Sequence, residues 1–209
     1  MIQIENTDIV GWEHAIRGAR NPMNSWAKSD SSSEIAGYCI GKNDHDLMMK
    51  LRNAGTDHRK FMRMITVYAD ITAPLYWWKE FDTYKIGTVA NSCSTMHKIH
   101  AKEFTIDDFS HEHLLEQDEK ALNYIVDYLN INRRSYLDTK DKTYWWQMIQ
   151  LLPSSYNQKR TVMMNYEVLA NIYKSRKNHK LDEWHDFCDW IKALPYGELI
   201  TGEDNGDTV

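Results

Sequence analysis

The sequence predicts an α+β domain in which helices outnumber strands and surround a small sheet. Three observations lead there. Residues 64–72 alternate, with Ile65, Val67, Ala69 and Ile71 on one face and Met64, Thr66, Tyr68 and Asp70 on the other, which is the period of a strand. Four later stretches, 114–129, 144–152, 165–176 and 181–193, repeat apolar residues at helical spacing. Pro153 and Pro195 stop two of those stretches, as residues without an N–H that cannot continue a helix.

Taken in order, Ile2 and Ile4 alternate with Gln3 and Glu5, so the chain opens on a short strand. Trp12, Ala15, Ile16 and Ala19 follow at helical spacing, and 21–33, rich in Asn, Ser, Pro and Asp, reads as a long loop. A helix over 46–54 turns Leu47, Met48 and Leu51 inward and ends at Gly55. Thr56, Asp57 and His58 then open a strand-like element. After the 64–72 strand, Pro74 suits the first turn of a helix, where its missing N–H costs nothing. Residues 104–109 are acidic and irregular. The 114–129 helix carries Leu115, Leu122, Ile125, Val126 and Leu129 on its core side. The 165–176 helix carries Val168, Leu169 and Ile172, and the 181–193 helix carries Leu181, Trp184, Cys188 and Ile191. One domain over 1–200 is expected, with a polar, frayed tail over 201–209.

The composition excludes several classes of function. The 209 residues carry a formal net charge of −5, so no global positive field recruits nucleic acid, and no basic-aromatic stripe suits a single strand. Three scattered cysteines without a C-x-x-C pair suggest neither a zinc ribbon nor a disulfide framework. No apolar run approaches membrane-spanning length and the first residues do not read as a signal peptide, so a cytoplasmic home is expected. Eight Trp and 12 Tyr favour half-buried sites, clefts and subunit interfaces as well as a large aromatic core. Each of the pairs Trp77-Trp78 and Trp145-Trp146 spreads over two helix faces, which suggests one ring in the core and the other at a cleft or interface.

Residues 73–97 hold the most chemistry. An aromatic helix start runs into small and hydroxyl residues, and Asn91, Ser92, Ser94 and Thr95 can bond a phosphate or a flavin edge; an ordinary polar surface loop has the same composition. Cys93 beside Ser94 becomes a nucleophile only where a cation lowers its pKa. No phosphate-binding loop, dinucleotide fingerprint or H-E-x-x-H occurs, and on a helix His111 and His113 point apart, so no metal site is expected.

Five ordered segments resemble the flavin-dependent thymidylate synthases. They are 15–20; 46–58, a helix ending in glycine before Asp57-His58; the strand leading into Ala73-Pro74-Leu75; Leu152-Pro153 before a polar segment; and the pattern Asn165, Leu169, Asn171, Arg176, His179, Trp184. The resemblance implies a small, mainly antiparallel sheet with surrounding helices, in a homotetramer with flavins where subunits meet. It also implies one-carbon transfer from methylenetetrahydrofolate to C5 of dUMP or a variant pyrimidine nucleotide, with hydride from FAD and reduction by NADPH. By the same resemblance His58, Tyr84, Lys85, Asn165, Asn171 and His179 are expected at the cofactor, and Glu80, Thr83, Ser94 and Arg176 at the nucleotide. Arg176 and Ser94 are expected to line one cleft between protomers.

The chain departs from that family where cations are expected. Thr83-Tyr84-Lys85 stands in place of Arg-His-Arg, and eight residues instead of seven precede Ser94. Met96, Ile149 and Glu167 occupy positions where arginine is expected, and Glu80 replaces a glutamine. A lysine cannot reproduce the planar two-point grip of a guanidinium. Either another substrate is used, or Arg20, Arg63 and Arg160 compensate, or the fold binds a nucleotide or flavin without catalysis.

Overall fold

The computed structural model describes residues 2–35 and 37–203. In chain order it comprises β1 (Gln3–Val10), α1 (Trp12–Arg20), β2 (Ser32–Glu34), β3 (Gly37–Cys39), α2 (Lys42–Asn53), β4 (Thr66–Pro74), α3 (Leu75–Phe81), β5 (Val89–Ser92), α4 (Thr95–Lys98), α5 (Glu116–Thr139), α6 (Lys142–Leu151), β6 (Asn157–Asn165), α7 (Tyr166–Arg176), α8 (Asp182–Ala193) and α9 (Glu198–Thr201). Four strands pair in the order β1-β4-β6-β5, and β2 pairs antiparallel with β3. The class is α+β, as the sequence predicts.

Packing divides the chain into two compact units. One holds Met1–Gln3, Asp70–Thr83 and Ala90–Thr161, and the other Ile4–Ala69, Tyr84–Val89 and Val162–Val209. We call them the α5–α6 unit and the α7–α8 unit. No helix among the described residues is long and apolar enough to cross a membrane.

The alternation expected over 64–72 is real, although β4 itself begins at Thr66. Ile65, Val67, Ala69 and Ile71 are at most 1% exposed, whereas Met64 and Tyr68 are 45% and 40% exposed. Pro74 ends this strand in extended conformation (ψ 151) and is the N-cap of α3, so it stands just before the helix rather than in its first turn. Trp77 and Trp78 are both fully buried, edge to face at 4.9 Å, with Trp78 Nε1 donating to the Gln158 carbonyl at 2.9 Å. The expectation of one outward ring fails there because α3 is enclosed on two faces. In the other pair Trp145 packs on the core and Trp146 is 43% exposed.

In the α5–α6 unit the core stripe of α5 is Leu122, Val126 and Leu129. Leu115 precedes the helix at 65% exposure and Ile125 is 38% exposed, so neither belongs to the core side. The helix also runs ten residues past the expected end at 129. Its continuation hides from hydrophobic periodicity because the buried residues there are the polar Asn130 and Asn132, Asn130 exchanging hydrogen bonds of 2.9 and 2.8 Å with the Phe104 backbone. The expected irregular stretch at 104–109 contains a 3-10 turn, Ile106–Asp108, closed by a Thr105–Asp108 capping box. β6 escapes sequence reading for a related reason: Gln158, Lys159, Arg160 and Thr161 are polar, yet neighbours on both sides pair their backbone.

In the α7–α8 unit, α2 begins at Lys42, earlier than the expected 46, and buries Asp44. The expected loop over 21–33 includes two 3-10 turns, Asn21–Met23 and Trp26–Lys28, and the first residues of β2. His58 opens a 3-10 turn, Arg59–Arg63, instead of a strand. α7 and α8 supply Leu169, Ile172, Trp184, Phe187 and Ile191 to the core, each 0% exposed. α9 was not expected; of the expected tail, residues 204–209 lie outside the described residues.

Candidate functional site

In the α7–α8 unit the candidate residues gather along α7. Asn165 does not lie within the helix but caps it, its Oδ1 accepting from the Val168 N–H at 2.9 Å. Gly87 stands against that amide. Its φ is +81°, and a Cβ there would come within 2.7 Å of Asn165 Nδ2, so this turn requires glycine twice over. At the other end of α7, Arg176 Nε donates to the Tyr84 hydroxyl at 2.8 Å. The guanidinium carbon lies 5.5 Å from the Tyr84 ring centre and 4.7 Å from that of Trp184. Residues 84–87 therefore run beside α7 from its last turn to its cap.

His179 joins this cluster edge-on to Trp184, with ring centres 6.2 Å apart. Its Nδ1 accepts from the Leu181 N–H at 3.2 Å, which leaves the ring proton on Nε2. Tyr84, Arg176 and His179 thus converge, while Lys85, Asn171 and His58 are exposed. A half-buried cation between two aromatic faces keeps its charge in a fixed place, as an anion or a flat ring requires.

Glu167, where an arginine is expected, is 6% exposed and ion-paired to Arg59 Nε at 3.0 Å. Sequence reading missed Arg59, whose only sequence signal is that it follows His58. Arg20 is also accounted for structurally. It is 4% exposed, donates to Asp44 Oδ1 at 2.5 Å, and reaches the Ser25 and Lys28 carbonyls at 3.2 and 3.1 Å. It is therefore not a spare cation. Arg63 is exposed.

In the α5–α6 unit, Thr83 closes the end of α3, its hydroxyl donating to the Glu80 carbonyl at 2.7 Å. Glu80 itself is half-buried. The expected small-residue loop is instead β5 followed by α4, and Ser94 Oγ caps α4 by accepting from the His97 N–H at 3.0 Å. Arg160 lies 4.2 Å over the Trp78 ring and donates to Asp82 at 2.8 Å and to Gln158 at 3.0 Å. Ser94 lines a cavity of about 530 Å³ together with Cys93, Lys98, Lys102, Tyr156 and Lys159.

No protein-family model and no curated protein matches the sequence. Solved structures do match. Thymidylate synthase X from Helicobacter pylori, crystallised with FAD and dUMP, superposes with a TM-score of 0.69 at 18% identity, over 98% of each chain. A second structure of that enzyme with the same ligands gives 0.68 at 19% identity, over 97% of this chain and 98% of that one. The fold is that of flavin-dependent thymidylate synthase. A thymidylate-synthase-like fold thus carries Thr83, Tyr84 and Lys85 in this chain. Of these three, Tyr84 makes the side-chain bond to Arg176 described above.

Proposed function

We propose that this chain binds FAD and transfers a one-carbon unit to C5 of a pyrimidine nucleotide, dUMP or a variant of it. The observation that carries the reading is Arg176, held by the Tyr84 hydroxyl and by the Tyr84 and Trp184 rings within a fold that its solved neighbours use with FAD and dUMP. The residues present fit a flavin nucleotide, which combines a flat ring system with a diphosphate: this region offers cations, neutral donors and aromatic faces. His58, Tyr84, Lys85, Asn165, Asn171 and His179 would hold it, and Glu80, Thr83, Ser94 and Arg176 would hold the nucleotide. When bound, FAD supplies hydride.

The chain's own contribution is positional and electrostatic. Arg176 neutralises an anionic group without having to be ordered on binding, because Tyr84 already fixes its guanidinium. His179 takes its ring orientation from the bond its Nδ1 accepts from the Leu181 N–H. Asn165, its Oδ1 committed to the helix, keeps its Nδ2 hydrogens as donors beside Gly87. NADPH as reductant, methylenetetrahydrofolate as one-carbon donor and a homotetramer with shared clefts where subunits meet belong to the same proposal.

A second reading, a nucleotide- or flavin-binding protein without catalysis, is favoured by Glu167, whose buried pairing with Arg59 uses a family arginine position for stability. Purified protein should absorb near roughly 450 nm or gain that band on adding FAD, and FAD or dUMP should raise its melting temperature. A colourless protein indifferent to both would reject both readings. Binding without turnover of dUMP, supplied with reduced flavin and a folate donor, would select the second.

A further inference from the structure

In the α7–α8 unit a cavity of about 500 Å³, in the size range of small-ligand sites, opens beside α1. Part of its wall is polar and used up inside the fold. Arg20 is bound to Asp44 and to two carbonyls, as described above. The Ser29 and Ser31 hydroxyls each donate to Asp44 Oδ2 at 2.7 Å, and Ser31 Oγ also accepts from the Gly41 N–H at 3.0 Å. This wall is held in place from several sides, and the charges of Arg20 and Asp44 cancel.

The rest of the lining has unused groups. Ile16, 3% exposed, supplies apolar surface. Trp26 is 49% exposed, yet its Nε1 donates to Asn21 Oδ1 at 2.8 Å, which holds the indole at the cavity instead of leaving it to turn in solvent. Tyr38 is half-buried and adds a second ring, and no described residue bonds its hydroxyl. Burial, followed by the carboxylates of Glu13 and Asp44, pushes that phenol's pKa up and keeps it a donor. Glu13 and Arg17 complete the lining, one turn apart on α1 and both exposed. Opposite charges at this spacing can pair with each other. Here they do not, and no oppositely charged group among the described residues lies within ion-pair distance of either.

We infer that this cavity binds a free aromatic amino acid, with its ammonium on Glu13, its carboxylate on Arg17 and its ring against Ile16, Trp26 and Tyr38. A ligand with only a positive charge meets Arg17, and one with only a negative charge meets Glu13, so a ligand carrying both suits the pair best. Ammonium and carboxylate sit on one carbon atom of an amino acid, which lets it reach two side chains whose Cβ atoms are about 5–6 Å apart. The aromatic walls select the side chain. Both charged contacts stay near solvent, so binding weakens as salt is raised. The inference uses no flavin and no nucleotide, and it stands apart from the proposed function.

The test is calorimetric titration of the full chain with L-tryptophan, tryptamine, indole-3-propionate and L-alanine. L-tryptophan should bind more tightly than either indole that lacks one charge, and L-alanine, without a ring, should not bind. Arg17→Gln should weaken L-tryptophan and indole-3-propionate at least about threefold and leave tryptamine unchanged. Glu13→Gln should weaken L-tryptophan and tryptamine by a similar factor and leave indole-3-propionate unchanged. Both residues are exposed, so both variants should fold, and their FAD and dUMP binding should match wild type. No heat with L-tryptophan at millimolar concentration overturns the inference. So does equal affinity for the three indoles, or an unchanged L-tryptophan affinity in both variants. A variant that loses FAD or dUMP binding together with L-tryptophan would trace the loss to folding and overturn the assignment of that side chain.

Discussion

Replacing Asp44 with alanine tests whether Arg20 is structural or available to a ligand. Asp44 is 1% exposed and Arg20 4% exposed. Asp44 Oδ1 accepts from Arg20 Nε at 2.5 Å, while Oδ2 accepts from the Ser29 and Ser31 hydroxyls, both at 2.7 Å, and from the Asp30 and Ser31 N–H groups at 3.0 and 3.1 Å. Asp44→Ala removes all five bonds and leaves the guanidinium buried with only two carbonyls. Breaking a buried pair from one side costs about 3–5 kcal/mol. For a chain of this length each kcal/mol moves the melting temperature by about 2–4 °C, so a fall of about 6–20 °C is expected.

Thermal unfolding followed by tryptophan fluorescence reads it directly. Removing both partners, as Asp44→Leu with Arg20→Met, should recover most of the loss, because no charge is then stranded. The pH dependence has a definite sign. Burial raises the Asp44 pKa, but the Ser31 and Ser29 hydroxyls, Arg20 and the Asp30 N–H outweigh it, so the carboxyl sits below its ordinary range. Its stabilisation is complete above the unfolded value of about 4 and is lost as pH falls through the lower folded value. The gap between wild type and Asp44→Ala should therefore close in acid. A melting temperature within about 2 °C of wild type at neutral pH, less than 1 kcal/mol on the same scale, would refute the argument and return Arg20 to the cations available for an anion.

Two further outcomes are expected. Gly87→Ala should cost about 1–3 kcal/mol, from a left-handed backbone and from displacement of the Asn165 amide; adding Asn165→Ser, a shorter cap, should restore part of it in the same melting assay, and full stability in Gly87→Ala alone would contradict the contact. Of the 3 cysteines, exposed Cys39 and Cys93 should react quickly with an aromatic disulfide, because reagent reaches them directly. Cys188, 3% exposed and with its pKa pushed up to about 11 by burial, should react only on unfolding; three equal rates would contradict the packing of α8.

Where local spacing carries the information, sequence and structure agree. The alternation of Ile65, Val67, Ala69 and Ile71 decided β4, and the spacing of Val168, Leu169 and Ile172 decided α7. Both patterns are written in neighbouring residues, whose periods follow from backbone geometry. Elements stabilised by polar partners were not legible in that way. β6 is a strand because other strands satisfy its backbone, and α5 continues past 129 because Phe104 satisfies Asn130. The site divides along the same line. Motif order nominated Arg176, Tyr84 and His179, which the fold gathers, together with Lys85, Asn171 and His58, which it leaves exposed. Only the tertiary structure paired Arg176 with Tyr84 across 92 residues and Arg59 with Glu167 across 108, and it withdrew Arg20 into a buried network. The sequence by itself determined which segments are helix or strand wherever an apolar face repeats. The tertiary structure decided which charges are tied to partners within the fold, because a charge is defined by partners that local periodicity does not encode.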